Sequence, residues 1–350
     1  MNAKLILLTV ALFLPGFVSA DTSVRFNVDN PQVIEIDRPA LYPETIQYNP
    51  VSDRFVVGSF REGALYEVSE NGDTRQIIDD ERLVSSLGFV IDHLRDRVAV
   101  ATSDIGAALR TYVGGAKRLA TVELFRLSTG RHLRSVQLPD LGSDAEHLVN
   151  GMTMDDAGNL YVTDSFSPVI YRIDIDGNSD IFLKSERFHG KGINLNGIVF
   201  HPDGYLIVVK KSDGRLFKIH LDDPQGFLEI ETPEQFVGGD GLLLVDKGAL
   251  LVVANRALGE NTESAFVLES GDGWRSAAVI DRLPLGAVYP TTAVTRARRL
   301  YVMHSNLDEL IAAPPERRHE LSRRATIRQI GEVTKRCCAR PLNGRLGGPD

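Results

Sequence analysis

The feature that most constrains this 350-residue chain is an internal repeat. The stretch "HLVNGMTMDDAGNLYVTDS" (147–165) is echoed about forty-five residues later by "NLNGIVFHPDGYLIVVKKS" (194–212). Both copies open on Asn-Gly, run as an alternating apolar stretch, turn at Gly and resume as a second strand. The phrase recurs at 45–68, at 88–104 with 120–130, and at 150–174, 196–220, 240–255 and 291–306. A spacing of roughly forty to fifty residues is that of propeller blades with four strands each. Period-two alternation in "NLYVTDS" and "RLFKIH", with plentiful Val, Ile, Tyr and Phe, supports strands. The Asp-Gly and Asn-Gly pairs supply turn residues that tolerate positive φ. The chain is therefore expected to be all-β, a six-bladed propeller of four-stranded blades. Each blade of such a fold buries its faces against its neighbours, so no disulfide is needed. That suits a sequence whose two cysteines, Cys337 and Cys338, are adjacent, where a bridge would be strained.

Residues 1–20 read as a secretory signal: Lys4, an apolar run from Leu5 to Val18, and a small-residue cleavage site at Val18-Ser19-Ala20. The propeller is expected over 21–333. The segments "PQVIEIDRP" (31–39) and "ATIRQIGEV" (325–333) read as strands in the outer part of the closing blade. Residues 334–350 lack periodicity and are expected to form a disordered tail. The stretch 104–120 reads as an insert, and 256–265 as a long excursion in the fifth repeat. The mature chain is expected to be a soluble monomer, secreted or periplasmic, with no membrane contact after signal removal. A net charge of -8 without a dense basic tract argues against nucleic acid as a partner. A small-molecule ligand or substrate is the expected partner.

In a propeller the first strand of each blade lines a central channel. The six repeats begin those strands at Glu44, near Gly88, and at Asn150, Asn196, Asp240 and Thr291. The oxygen donors among them, Glu44, Asn150, Asn196 and Asp240, are separated by 106, 46 and 44 residues, which is two blades, then one, then one. Fold geometry would gather them at one end of the channel. Two carboxylates and two amide oxygens form a hard-oxygen set of the kind Ca²⁺ takes. Without Cys or His in the set, a soft-ligand zinc site is disfavoured. "DIDGNSD" (174–180) lacks the spacing and closing Glu of a calcium loop and reads as a turn. His304 is a side candidate for acid–base work, His147 and His189 weaker ones. "RRHELSRR" (317–324) reads as a solvated face. There is no Gly-x-Ser-x-Gly elbow and no phosphate loop.

Over about residues 42–311 the chain resembles the gluconolactonase/regucalcin (senescence marker protein) family of six-bladed propellers. The nearer likeness is to divergent secreted members that share "YPETIQYN…RFVVGSF..GALYEV". Asn-Gly at Asn150 and Asn196 and Asp-Gly at Asp240 match the family in spacing and context. The resemblance implies a divalent metal, Ca²⁺ first, bound by Glu44, Asn150, Asn196 and Asp240. Such a metal polarises a lactone, ester or phosphoester oxygen and activates water. The resemblance also makes Asp240 the general base or nucleophile, with Asn150 and Asn196 as ligands and orienters. Two departures stand out. Tyr42-Pro43-Glu44-Thr45 replaces the family's Glu-Gly-Pro, and the second repeat has no counterpart of the family's sugar-contacting residues, so a sugar lactone does not follow. The expected function is an exported, metal-dependent hydrolase of lactones or related esters. The alternative is a non-enzymatic binding propeller that holds a small apolar ligand or a protein partner.

Overall fold

The strand "YLIVVK" has no polar face to offer water, and all six of its residues are buried. Such strands belong in a sheet covered on both sides. The computed structural model describes residues 22–335 except 27, 113–115, 140, 143, 258 and 259. The signal segment, Cys337, Cys338 and the tail from 336 lie outside the described residues.

Strands β1 (Thr22–Arg25) and β2 (Val33–Glu35) precede the first blade. Blade 1 is β3 (Pro43–Asn49), β4 (Arg54–Ser59), β5 (Ala64–Val68) and β6 (Thr74–Asp79). Blade 2 is β7 (Phe89–Asp92), β8 (Arg97–Thr102), β9 (Thr121–Arg126) and β10 (His132–Gln137). Blade 3 is β11 (Val149–Met154), β12 (Leu160–Asp164), β13 (Val169–Ile173) and β14 (Ser179–Lys184). Blade 4 is β15 (Leu195–His201), β16 (Tyr205–Lys210), β17 (Arg215–His220) and β18 (Leu228–Glu229). Blade 5 is β19 (Gly239–Asp246), β20 (Ala249–Ala257), β21 (Glu260–Glu269) and β22 (Ala278–Pro284). Blade 6 is β23 (Pro290–Arg296), β24 (Arg299–His304) and β25 (Thr326–Lys335), with helix α1 (Leu307–Ala312) between the last two.

Within each sheet, consecutive strands are antiparallel neighbours. The ring closes where β25 pairs with both β1 and β2, which together fill the outer place of blade 6. The segments 31–39 and 325–333 thus meet in the closing blade as expected, with β1 an added strand. β25 runs to Lys335, two residues past the expected propeller end. The excursion expected at 256–265 is instead a continuation of the β20–β21 hairpin, with Arg256 opposite Asn261 and Ala257 opposite Glu260. Asp174–Asn178 is a turn, Asp174 accepting from the Asn178 backbone and side chain at 2.8 Å each. Among the described residues no helix is long and apolar enough to cross a membrane.

The core lies between blades. Alternate residues of one strand serve opposite neighbours. Leu206 and Val208 of β16 pack with Tyr161 and Ile170 of blade 3. Tyr205, Ile207 and Val209 of the same strand pack with Leu250, Val252 and Phe266 of blade 5. The closing contact of blades 6 and 1 is of the same kind, with Phe55, Tyr66, Tyr301 and Ile327. At the channel, the first strands of adjacent blades touch backbone to backbone. A Cβ on Gly88 would lie 2.0 Å from the Asn150 carbonyl oxygen, on Gly151 2.2 Å from that of Asn196, and on Gly197 2.2 Å from that of Asp240. These glycines are required for space, unlike Gly177 and Gly204, which turn the chain at φ +85°. The Gly197→Ala variant should therefore lose about 3 kcal/mol of stability, the cost of overpacking against rigid backbone. Urea denaturation measures it, and a loss below about 0.5 kcal/mol would mean that the blades separate there without strain.

Candidate functional site at the channel floor

Five first strands carry the same irregularity. The ladder to the second strand slips between Pro43 and Ile46, Val149 and Met152, Leu195 and Ile198, Gly239 and Leu242, and Pro290 and Ala293. The residues in those slips include Glu44, Asn150, Asn196, Asp240 and Thr291. Bulges re-aim side chains and release backbone groups from their own ladder. The released groups bond the neighbouring blade: Gly88 N–H donates to the Asn150 carbonyl at 2.9 Å, and Thr163 Oγ1 to that of Asn196 at 2.7 Å. In blade 2 the register of β7 and β8 is regular, and Gly88 offers no side chain.

Glu44, Asn150, Asn196 and Asp240 are all buried and line one cavity of about 760 Å³. The set predicted from sequence is thus brought together. Asn196 Nδ2 donates to Asp240 Oδ1. Asn150 Nδ2 donates to Ser165 Oγ at 3.1 Å. Both amides spend their nitrogens on the protein. The Glu44 carboxylate accepts no hydrogen bond among the described residues. Its pKa lies well above the usual carboxylate range, first because it is buried and then because Asp240 is close, with Lys211 opposing. Asp240 is also raised by burial, against the pull of Lys211, Asn255 and Asn196.

Two partners of Asp240, and the tyrosine beside them, were not read from the sequence. Lys211 Nζ lies 3.1 Å from Asp240 Oδ1 and also donates to Asn255 Oδ1. Asn255 Nδ2 reaches Asp240 Oδ2 at 2.5 Å and the Pro290 carbonyl at 2.9 Å. The Tyr289 ring lies 5.5 Å from the Lys211 ammonium, and burial, then Asp240 and Glu44, raise its hydroxyl pKa well above the ordinary value. Lys211 directly follows the second strand β16, Asn255 lies near the end of the second strand β20, and Ser165, just after β12, bonds across to the Leu195 carbonyl. The signal was a polar residue after each apolar second strand, as in "YVTDS", "VVKKS" and "VVANR".

The donor types suit a hard cation, but the charge does not. A buried ammonium already neutralises one of the two carboxylates, and both Asp240 oxygens accept from side-chain nitrogens. A divalent cation bound by Asp240 would sit within a few ångström of Lys211 Nζ, at a repulsion water cannot screen. As arranged, Glu44, Asn150, Asn196 and Asp240 do not fit the expected Ca²⁺, because Lys211 stands in for its charge.

The end of the channel beside these residues is closed. Tyr42, Phe60, Leu87, Leu148 and Tyr289, from segments that precede first strands or follow second ones, form a buried apolar cap together with Leu307 and Leu310 of α1. Tyr42 and Tyr289 each precede a proline that begins a first strand, at φ 47° and 46°. That left-handed conformation is strained for a tyrosine, and the cap's packing holds it. His304 is not part of the ring. It ends β24, is 5 % exposed, and its Nε2 has no hydrogen-bond partner among the described residues. His147 is likewise structural, its Nδ1 2.7 Å from Asp164 Oδ2.

No protein-family model matches the chain, and no curated protein does. Solved structures share the fold at low identity. The major Malassezia sympodialis allergen Mala s 1 is 16 % identical, with a TM-score of 0.64 over 86 % of this chain and 96 % of that one. The calcium-binding protein regucalcin from Agrobacterium tumefaciens is 17 % identical, with a TM-score of 0.58 over 86 % and 95 %. A gluconolactonase from Xanthomonas campestris is 11 % identical, with a TM-score of 0.56 over 90 % and 96 %. The expected likeness to gluconolactonase and regucalcin propellers is thus found at the level of the fold.

Burial, with Arg328 adding to it, lowers the His304 pKa from 6.5 to about 4. The unfolded chain therefore takes up a proton near pH 6.5 that the folded chain refuses until about pH 4. Stability should fall by about 3 kcal/mol across that window as pH drops. Urea titrations from pH 7 to pH 4 should show this loss shrink in the His304→Gln variant; an unchanged slope would contradict the assignment.

Proposed function

We propose that the chain is a hydrolase of lactones or related esters that works at the channel floor without a bound metal. The observation that carries this reading is the unequal setting of its two adjacent carboxyl groups. Asp240 has an ammonium and two amide donors, which favour its ionised form. Glu44 has burial and a neighbouring negative charge, which favour its protonated form. Such a pair divides into a base and an acid.

In the proposed reaction, Asp240 takes a proton from water as the water oxygen bonds to the acyl carbon. Glu44 gives its proton to the ring or alkoxy oxygen as the acyl C–O bond breaks. Transfer of the proton from Asp240 to Glu44 restores the starting state. Lys211 limits the cost of charge at Asp240, and Asn150 and Asn196 present amide oxygens that orient water. The fold likeness to a gluconolactonase agrees with this reading but carries only the fold. With the first twenty residues read as a secretory signal, we propose that the reaction runs outside the cytoplasm.

A panel of lactones and aryl esters tests it. Turnover should survive chelation of divalent ions and fall at least about a hundredfold in kcat in Glu44→Gln and in Asp240→Asn. Activity that chelation abolishes and Ca²⁺ restores would return the ring to the metal reading. Absence of turnover across the panel would leave a binding propeller.

A further inference from the structure

The channel is not equally closed along its length. In several first strands buried residues come first and half-buried ones lie toward the end: β11 is half-buried at Thr153 and Met154, and β19 from Leu242 to Asp246, whereas β7 is buried throughout. β15 and β23 soften in the same direction, before His201 closes β15. The cap of Tyr42, Phe60, Leu148 and Tyr289 seals the opposite end. The cavity that ends on Glu44 and Asp240 therefore opens at the far end of the first strands, where Pro50, His93 and Arg298 line it. Between floor and mouth its lining is mostly apolar, with Ile46, Val90, Met152, Ile198, Leu242 and Val294. Glu44 and Pro50 are six residue steps apart along an extended strand, a depth of roughly 20 Å.

From this we infer that the substrate is an amphiphile with one polar end and an apolar body, admitted polar end first through the mouth remote from the cap. The inference rests on the hydrolase reading for the reaction but not for the binding. A polyhydroxylated lactone would have to leave its hydroxyl groups against Ile46, Met152 and Leu242, where they would go unpaired. An alkyl chain at the same place gains from burial with each methylene.

Two measurements on the full chain test it. In kinetics, δ-decalactone, which carries a pentyl chain, should exceed δ-valerolactone in kcat/KM by at least about tenfold, and D-glucono-1,5-lactone should be the poorest of the three. In calorimetry, 2-pentylcyclohexanone, which has no bond to hydrolyse, should bind at least about tenfold more tightly than cyclohexanone. Thr295→Trp, at the mouth and away from the floor, should weaken binding of 2-pentylcyclohexanone at least fivefold while thermal unfolding stays within a few degrees. Preference for the sugar lactone, equal binding of the two ketones, or Thr295→Trp without effect would each overturn the inference. Binding of 2-pentylcyclohexanone without turnover of any lactone would sink the hydrolase reading and leave the amphiphile site standing.

Discussion

Everything at the centre of this molecule depends on first strands that meet backbone to backbone. Gly88, Gly151 and Gly197 let a carbonyl of the next blade come within about 2 Å of where a side chain would begin. That contact narrows the ring at one end. It also fixes the residue before Gly151 and Gly197, and Asp240 one blade on, at the edge of the channel. The apolar core follows from the same geometry, because blades this close bury both faces of β16 and β20 against their neighbours.

A ring this tight leaves little room for solvent, so its charges must be balanced by the protein. Asp240 meets that requirement with Asn196 from the first strand β15, Lys211 just past the second strand β16 and Asn255 of the second strand β20. Glu44 has no such partners among the described residues and sits beside a negative charge. The difference between two carboxyl groups of similar chemistry is a matter of which second-strand ends reach them. A buried ammonium at this place changes what the ring can bind: a neutral polar group is compatible with it, an added divalent cation is not.

Much of this was legible in the sequence. The repeats gave six blades, and the register of Asn150, Asn196 and Asp240 gave three members of the ring. Glu44 joined them despite its Tyr-Pro setting, because position in the strand and not local motif decides what faces the channel. The glycines were visible but were read as turn devices. Gly177 and Gly204 do turn the chain at positive φ, whereas Gly151 and Gly197 make space, and a dipeptide cannot show which role applies. Lys211 escaped because "VVKKS" reads as a strand reaching water, and its burial depends on Asp240, which lies 29 residues further along. The apolar cap escaped for a similar reason. Tyr42, Phe60 and Leu307 come from three separated segments, and no local pattern announces that they meet.

The claim on which the account turns is that Lys211 holds the positive charge a metal would otherwise supply. A crystal structure grown in millimolar Ca²⁺ tests it directly. The account predicts Lys211 Nζ within hydrogen-bond distance of Asp240 and no cation at the ring. A Ca²⁺ ion ligated by Glu44, Asn150, Asn196 and Asp240, with Lys211 turned away, would contradict it.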